Sequence, residues 1–152
     1  MIQRIQSLYL LIVTVLMVTT IFLPLILITF PDDTYLALTF RGFANEGWNW
    51  ELSTACLSIL TAVIAFLSLG NIFMFHNRSR QVRICIYNML LMLGWYALLY
   101  TVVSYKLDEL TYDSFNIQIA SCFPLVSIIL TFLAMRGILK DDAIVKSLDR
   151  LR

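Results

Sequence analysis

Few side chains in this sequence are equipped for bond-making chemistry, and those few are scattered. The single histidine, His76, stands among Phe75, Asn77 and Arg78 with no second metal-ligating side chain nearby. A zinc or haem centre needs several histidine, cysteine or carboxylate groups converging, so His76 reads as an interfacial polar residue. The three cysteines, Cys56, Cys85 and Cys122, each fall inside an apolar run and form no C-x-x-C pair. Thiol exchange chemistry lacks its partner group, and these residues read as small apolar side chains facing neighbouring helices. Cys56 and Cys122 fall at similar depths, which leaves a pairing between them open. No G-x-S-x-G, H-E-x-x-H or phosphate-binding loop occurs. The expectation is a chain with no catalytic, cofactor-binding or metal-binding residues, and not an enzyme.

The remaining chemistry is charge, and its placement is informative. Net charge is only +1, which by itself says nothing about nucleic acid, and no nucleic-acid partner is expected. Hydrophobic residues make up 60% of the chain and charged residues 14%, against about 25% charged in an ordinary soluble domain. A soluble domain of this length could not hide so much apolar surface. Arg41 and Lys106 apart, the basic residues fall in three places: Arg4; Arg78, Arg80 and Arg83; and Arg136, Lys140, Lys146, Arg150 and Arg152.

Between these clusters lie four stretches without Asp, Glu, Lys or Arg: Ile5–Pro31, Leu52–Asn77, Ile84–Tyr105 and Ser114–Met135, of 27, 26, 22 and 22 residues. About 20 apolar residues suffice for a helix to cross a bilayer, and a backbone in hydrocarbon must satisfy its own hydrogen bonds. The runs do not alternate as barrel strands would. They predict four transmembrane helices over about 5–30, 52–76, 84–105 and 116–136, in one domain spanning 1–152. The first run is too long for the apolar core of a cleaved signal and is expected to remain as a helix. Placing both ends in the cytoplasm puts nine Lys and Arg inside and two outside, as the positive-inside rule requires.

The fold expectation is therefore all-α: a four-transmembrane-helix bundle with a short extracytoplasmic β-hairpin and a C-terminal cytoplasmic amphipathic helix. In the outer loop, 31–51, Tyr35–Phe40 is rich in strand formers, Gly42 is a turn candidate and Phe43–Trp50 returns as a second strand. Trp48 and Trp50 read as interfacial anchors. In the tail, 137–152, Asp141 or Asp142 caps a new helix whose Ile144, Val145, Leu148 and Leu151 share one face. That helix lies on the membrane surface or docks a membrane or cytoplasmic protein partner.

Inside the apolar runs the features are mild. Thr54, Ser58, Thr61, Ala65 and Ser68 recur at steps of 4, 3, 4 and 3, one helical face, and small residues let membrane helices approach closely. Asn71 and Asn88 fall at similar depth on antiparallel neighbours and are expected to meet, as packing groups or as a polar site. Pro24 and Pro124 both fall about 10 Å below the outer surface. Two kinks there would splay the bundle and open a pocket beneath the hairpin. Arg78, Arg80 and Arg83 oppose the dipole at the start of the third helix, so topology and contact with anionic membrane lipid explain them better than helix stability.

The two ends carry the most distinctive sequence. Met1-Ile2-Gln3-Arg4-Ile5-Gln6-Ser7-Leu8-Tyr9-Leu10 opens the chain, and Lys140-Asp141-Asp142-Ala143-Ile144-Val145-Lys146-Ser147-Leu148-Asp149-Arg150-Leu151-Arg152 closes it. With the Asn77-Arg78 turn, these segments resemble an uncharacterised bacterial family of four-helix inner-membrane proteins, domain of unknown function 4293. The resemblance implies a bacterial inner-membrane location and this topology, and no functional residues. A non-enzymatic structural or accessory membrane component is the favoured reading. A transporter or channel that binds a small molecule or lipid is second, since no charged residue occupies a span core.

Overall fold

The computed structural model describes residues 3–30, 35–39, 42–44, 52–74, 77–109 and 114–149. Four long helices dominate it: α1 (Gln3–Phe22), α2 (Leu52–Phe73), α3 (Arg78–Glu109) and α4 (Phe123–Asp149). Four stretches are long and apolar enough to cross a membrane: Ile5–Phe22, Thr54–Phe73, Arg78–Tyr105 and Ile119–Val145, the last beginning in the turn just before α4. The helices pack as a ring in which α1 and α3 each meet both α2 and α4. Large apolar side chains cover the outside: Leu8, Val15, Phe66, Phe73, Leu90 and Ile129 are all exposed. Buried positions include Thr14, Thr61, Ser68, Asn71, Asn88, Ser127 and Thr131. Apolar outside and polar inside is the arrangement expected where lipid is the solvent.

The first apolar run is not one helix over 5–30. Helix α1 ends at Phe22 and strand β1 (Ile26–Thr29) follows. Pro24 lies between them, and a proline lacks the N–H and clashes with the carbonyl four residues back. The backbone groups freed there are taken up by a sheet. Strands β2 (Tyr35–Thr39), β3 (Gly42–Ala44) and β4 (Ser114–Ile117) join β1 in the order β3-β2-β1-β4, every pair antiparallel. The expected hairpin is present as β2 and β3, with Gly42 paired to Thr39 inside β3 rather than in the turn, and it is half of this larger sheet. Residues 45–50 of its return strand, with Trp48 and Trp50, lie outside the described residues.

The sheet caps one end of the bundle, called here the sheet end. Ile26 pairs with Leu38 on one side and Ile117 on the other. Leu25, Ile26, Ile28 and Leu38 are buried in the main core with Met17, Ile64, Met92 and Trp95. A smaller core of Leu10, Cys85, Ala134 and Ile138 fills the opposite end.

Three further boundaries differ from expectation. The arginines do not sit in a loop before the third helix, because α3 begins at Arg78. The Asn77 carbonyl accepts the N–H groups of Arg80 and Gln81 and so starts the helix early. The fourth helix starts at Phe123, after β4 and a 3-10 turn over Ile119–Cys122, and runs unbroken to Asp149. Among the described residues, up to Asp149, there is no separate tail helix, because Asp141 does not cap a new helix but is buried within α4. The prolines kink nothing: Pro24 stands outside a helix, and Pro124 is the second residue of α4, where its missing N–H had no intrahelical partner.

Candidate functional site

Polar groups inside the bundle form two assemblies. The first ties α2 to α3. Asn71 Nδ2 donates to Cys85 Sγ at 3.1 Å and to the Gln81 carbonyl at 3.4 Å, while Gln81 Nε2 donates back to the Asn71 carbonyl at 3.3 Å. One turn along, Asn88 Nδ2 donates to Ser68 Oγ at 2.7 Å. Two turns further, Trp95 Nε1 donates to Thr61 Oγ1 at 2.8 Å. Asn71 and Asn88 therefore share the interface but not a bond, because each faces a different residue of the opposite helix.

The small-residue face of α2 supplies these acceptors. Thr54, Thr61, Ala65 and Ser68 are buried, and Ser58 is half-buried with its hydroxyl donating to the Thr54 carbonyl. Small side chains here let the large Trp95 ring enter fully, edge-on to Tyr96 at 5.2 Å between centroids. Neither Trp95 nor Gln81 is signalled by the sequence, since both lie in a helix whose charge-free stretch marks only a span.

The second assembly is at the end that carries the arginines. Gln6 of α1 donates from Nε2 to Asp141 Oδ2 of α4 at 2.8 Å, and both side chains are buried. Arg78 at the start of α3 donates to the Asp141 backbone carbonyl at 3.0 Å. One residue thus joins three helices. Gly137, one turn before Asp141, makes room: a Cβ there would stand 3.1 Å from Gln6 Cγ. The spacing of Gly137 and Asp141, four residues on one helical face, was the available signal for this junction.

Beside the junction lies a polar cleft of about 300 Å³ lined by Asn77, Arg78, Ser79, Arg80, Arg83, Asp142 and Val145. Arg80 and Arg83 are exposed, and Arg83 Nε donates to the Ser79 carbonyl at 3.3 Å. All three arginines singled out by the sequence meet here. At the sheet end, a second and apolar groove of about 400 Å³ is lined by Ile26, Tyr96, Leu99, Tyr100, Leu125 and others. Its wall is fixed by the Tyr96 hydroxyl, which donates to the Ser121 carbonyl and accepts the Leu125 N–H. This is not the pocket expected under the hairpin: its strand residues are Ile26 of β1 and Ile117 of β4, none of its lining belongs to β2 or β3, and no proline kink creates it.

Among the described residues no three His, Cys, Asp or Glu side chains cluster as metal ligands would. His76 lies outside the described residues. Cys56, Cys85 and Cys122 are free, the first and last exposed and Cys85 buried beside Asn71.

The family model for domain of unknown function DUF4293 matches residues 2–151. The chain belongs to the DUF4293 family. The match takes in all four helices, the sheet and both polar assemblies, so the DUF4293 unit is the whole bundle rather than one of its ends. No curated protein and no solved structure matches the chain.

Proposed function

We propose that this DUF4293 protein is a non-enzymatic structural or accessory component of a bacterial inner membrane, spanning it four times with both termini in the cytoplasm. The observation that carries this reading is the use of the interior polar groups. Gln6, Arg78 and Asp141 hold three helices together, and Asn71, Asn88 and Trp95 hold α2 on α3. These groups build a stable bundle rather than converge on a reacting centre. Orientation rests on the nine basic residues of the arginine end and tails against two in the opposite loops.

Affinity purification in mild detergent tests the accessory role, with a stoichiometric protein partner as the expected result. Recovery of the chain alone, or of a soluble substrate turned over by it, counts against the role. Reporter fusions at each terminus test the orientation. Activity of a periplasm-dependent reporter at either end overturns it.

A second reading, a carrier for a lipid or small apolar molecule, is favoured by one feature, the groove beneath the sheet. Its lining is almost wholly apolar, with Tyr96, Leu99, Tyr100 and Leu125 around an opening between α3 and α4. A small molecule recovered with the purified protein, and lost on Leu99→Trp, would favour this reading over the first.

A further inference from the structure

We infer that the cleft between the start of α3 and the end of α4 binds a phosphate group, presented in the membrane as the headgroup of an anionic phospholipid. This rests on the membrane-spanning reading of the four helices.

The charge balance of the cleft is the first argument. Arg78, Arg80 and Arg83 line it against a single carboxylate, Asp142. Helix α3 has no acidic residue in its first turn. Cations at a helix start work against the partial positive charge of the exposed N–H groups, so the arrangement is self-repelling until an anion enters. Guanidinium groups are suited to phosphate oxygens, which they meet with two parallel N–H donors.

The second argument is how the arginines are held. Arg78 is fixed by its bond to the Asp141 carbonyl, and Asp141 is itself held by Gln6. Arg83 is braced through Nε on the Ser79 carbonyl. Its two terminal amino groups have no hydrogen-bond partner among the described residues. The Arg80 side chain likewise has none among them. The site is therefore partly organised before the anion arrives, which lowers the ordering cost of binding.

The third argument is depth. Ile84 opens the charge-free stretch of α3, and Arg83 and Arg80 lie one and four residues before it, about 1.5 and about 6 Å along the axis at 1.5 Å per residue. The polar headgroup layer occupies about 5–8 Å beyond each side of the hydrocarbon. Arg80 and Arg83 are thus level with the headgroup layer that carries the lipid phosphates.

The test uses the full chain in a neutral maltoside detergent and reads its thermal unfolding. Additions are phosphatidylglycerol, phosphatidylcholine, oleate, or inorganic phosphate against chloride at matched ionic strength. Phosphatidylglycerol is expected to raise the unfolding temperature, with phosphatidylcholine and oleate giving no comparable rise. In the double variant Arg80→Gln, Arg83→Gln, the apparent affinity for phosphatidylglycerol is expected to fall at least about tenfold. Its unfolding temperature without added lipid should not fall below the parent's, which shows that the fold is intact. A rise from inorganic phosphate alone, lost in the same variant, supports the phosphate site but overturns the lipid as its source. Equal rises with oleate, or a phosphatidylglycerol effect that survives in the variant, overturn the site. Failure of the membrane-spanning reading shows separately, as release of the chain from membranes by alkaline wash without detergent.

Discussion

Asn88 Nδ2 donates to Ser68 Oγ at 2.7 Å and so faces α2 one helical turn away from Asn71, the residue it was expected to meet. The offset is a consequence of register. Going from Asn71 to Ser68 to Thr61 takes the same steps along α2 as going from Cys85 to Asn88 to Trp95 along α3. Three bonds of one antiparallel seam fix that register together.

A double-mutant cycle checks it. Asn88→Ala combined with Ser68→Ala is expected to show a coupling of about 0.6–1.7 kcal/mol, the range for polar contacts between membrane helices. Asn88→Ala combined with Asn71→Ala should couple by less than about 0.5 kcal/mol. Unfolding free energies in detergent micelles give both numbers, and the reverse order would mean that the seam is shifted by a turn.

Glycine substitutions should differ in sign. Gly70 and Gly94 have nothing within 4 Å of where a Cβ would stand. Alanine there gains helix propensity, about 0.5–1 kcal/mol. Gly137→Ala instead places a methyl 3.1 Å from Gln6 Cγ and 3.3 Å from Gln6 Nε2. The Gln6–Asp141 bond must then stretch, and a loss of about 0.5–1.5 kcal/mol is expected. Midpoints of thermal unfolding for the three variants, ranked side by side, decide the matter.

Asp141 is held as an acceptor, through its carboxylate by Gln6 and through its carbonyl by Arg78. Asp141→Asn keeps an oxygen for Gln6 Nε2 and should cost less than about 1.5 kcal/mol. Asp141→Leu leaves the buried Gln6 amide without its acceptor and should cost about 1–3 kcal/mol more. Equal stability of the two variants in a denaturant titration would show that the junction contributes little.

The small-residue face of α2 predicts a graded response. Ala65 is 7% exposed, so Ala65→Leu overpacks the interface and should destabilise the bundle by about 1–3 kcal/mol. Ser58 is only half-buried, and Ser58→Leu should cost less. A detergent-stability assay that places Ser58→Leu below Ala65→Leu would argue against the packing described for this face.

What the sequence made legible follows from how local each cause is. Four long apolar helices were legible because a run of this length, if placed in hydrocarbon, must satisfy its own backbone. The face from Thr54 to Ser68 was legible because burial needs only a period. Tyr35–Thr39 showed itself through its strand-forming residues. Ile26–Thr29 did not, because a short apolar run reads equally as helix until its partners are known. Those partners include Ser114–Ile117, more than 80 residues away in the chain. Asp141 misled for a similar reason. Acidic residues commonly start helices, and only the buried Gln6 of a distant helix explains why this one sits mid-helix. The arginine cluster was legible as charge, but its division into a braced Arg78 and two outward arginines depends on Asp141.

The sheet has a consequence for how the molecule is made. Strand β1 is central, with β2 on one side and β4 on the other. As the chain is synthesised, β2 and β3 follow β1 directly, but β4 appears only after α2 and α3 are complete. Until then β1 keeps a row of unpaired N–H and C=O groups along one edge, the kind of edge that recruits other strands. Closing it is a long-range event and therefore slow. The second half of the protein thus acts as a clasp on the first, and a chain halted before Ser114 is left with a sticky seam at the sheet end of the bundle.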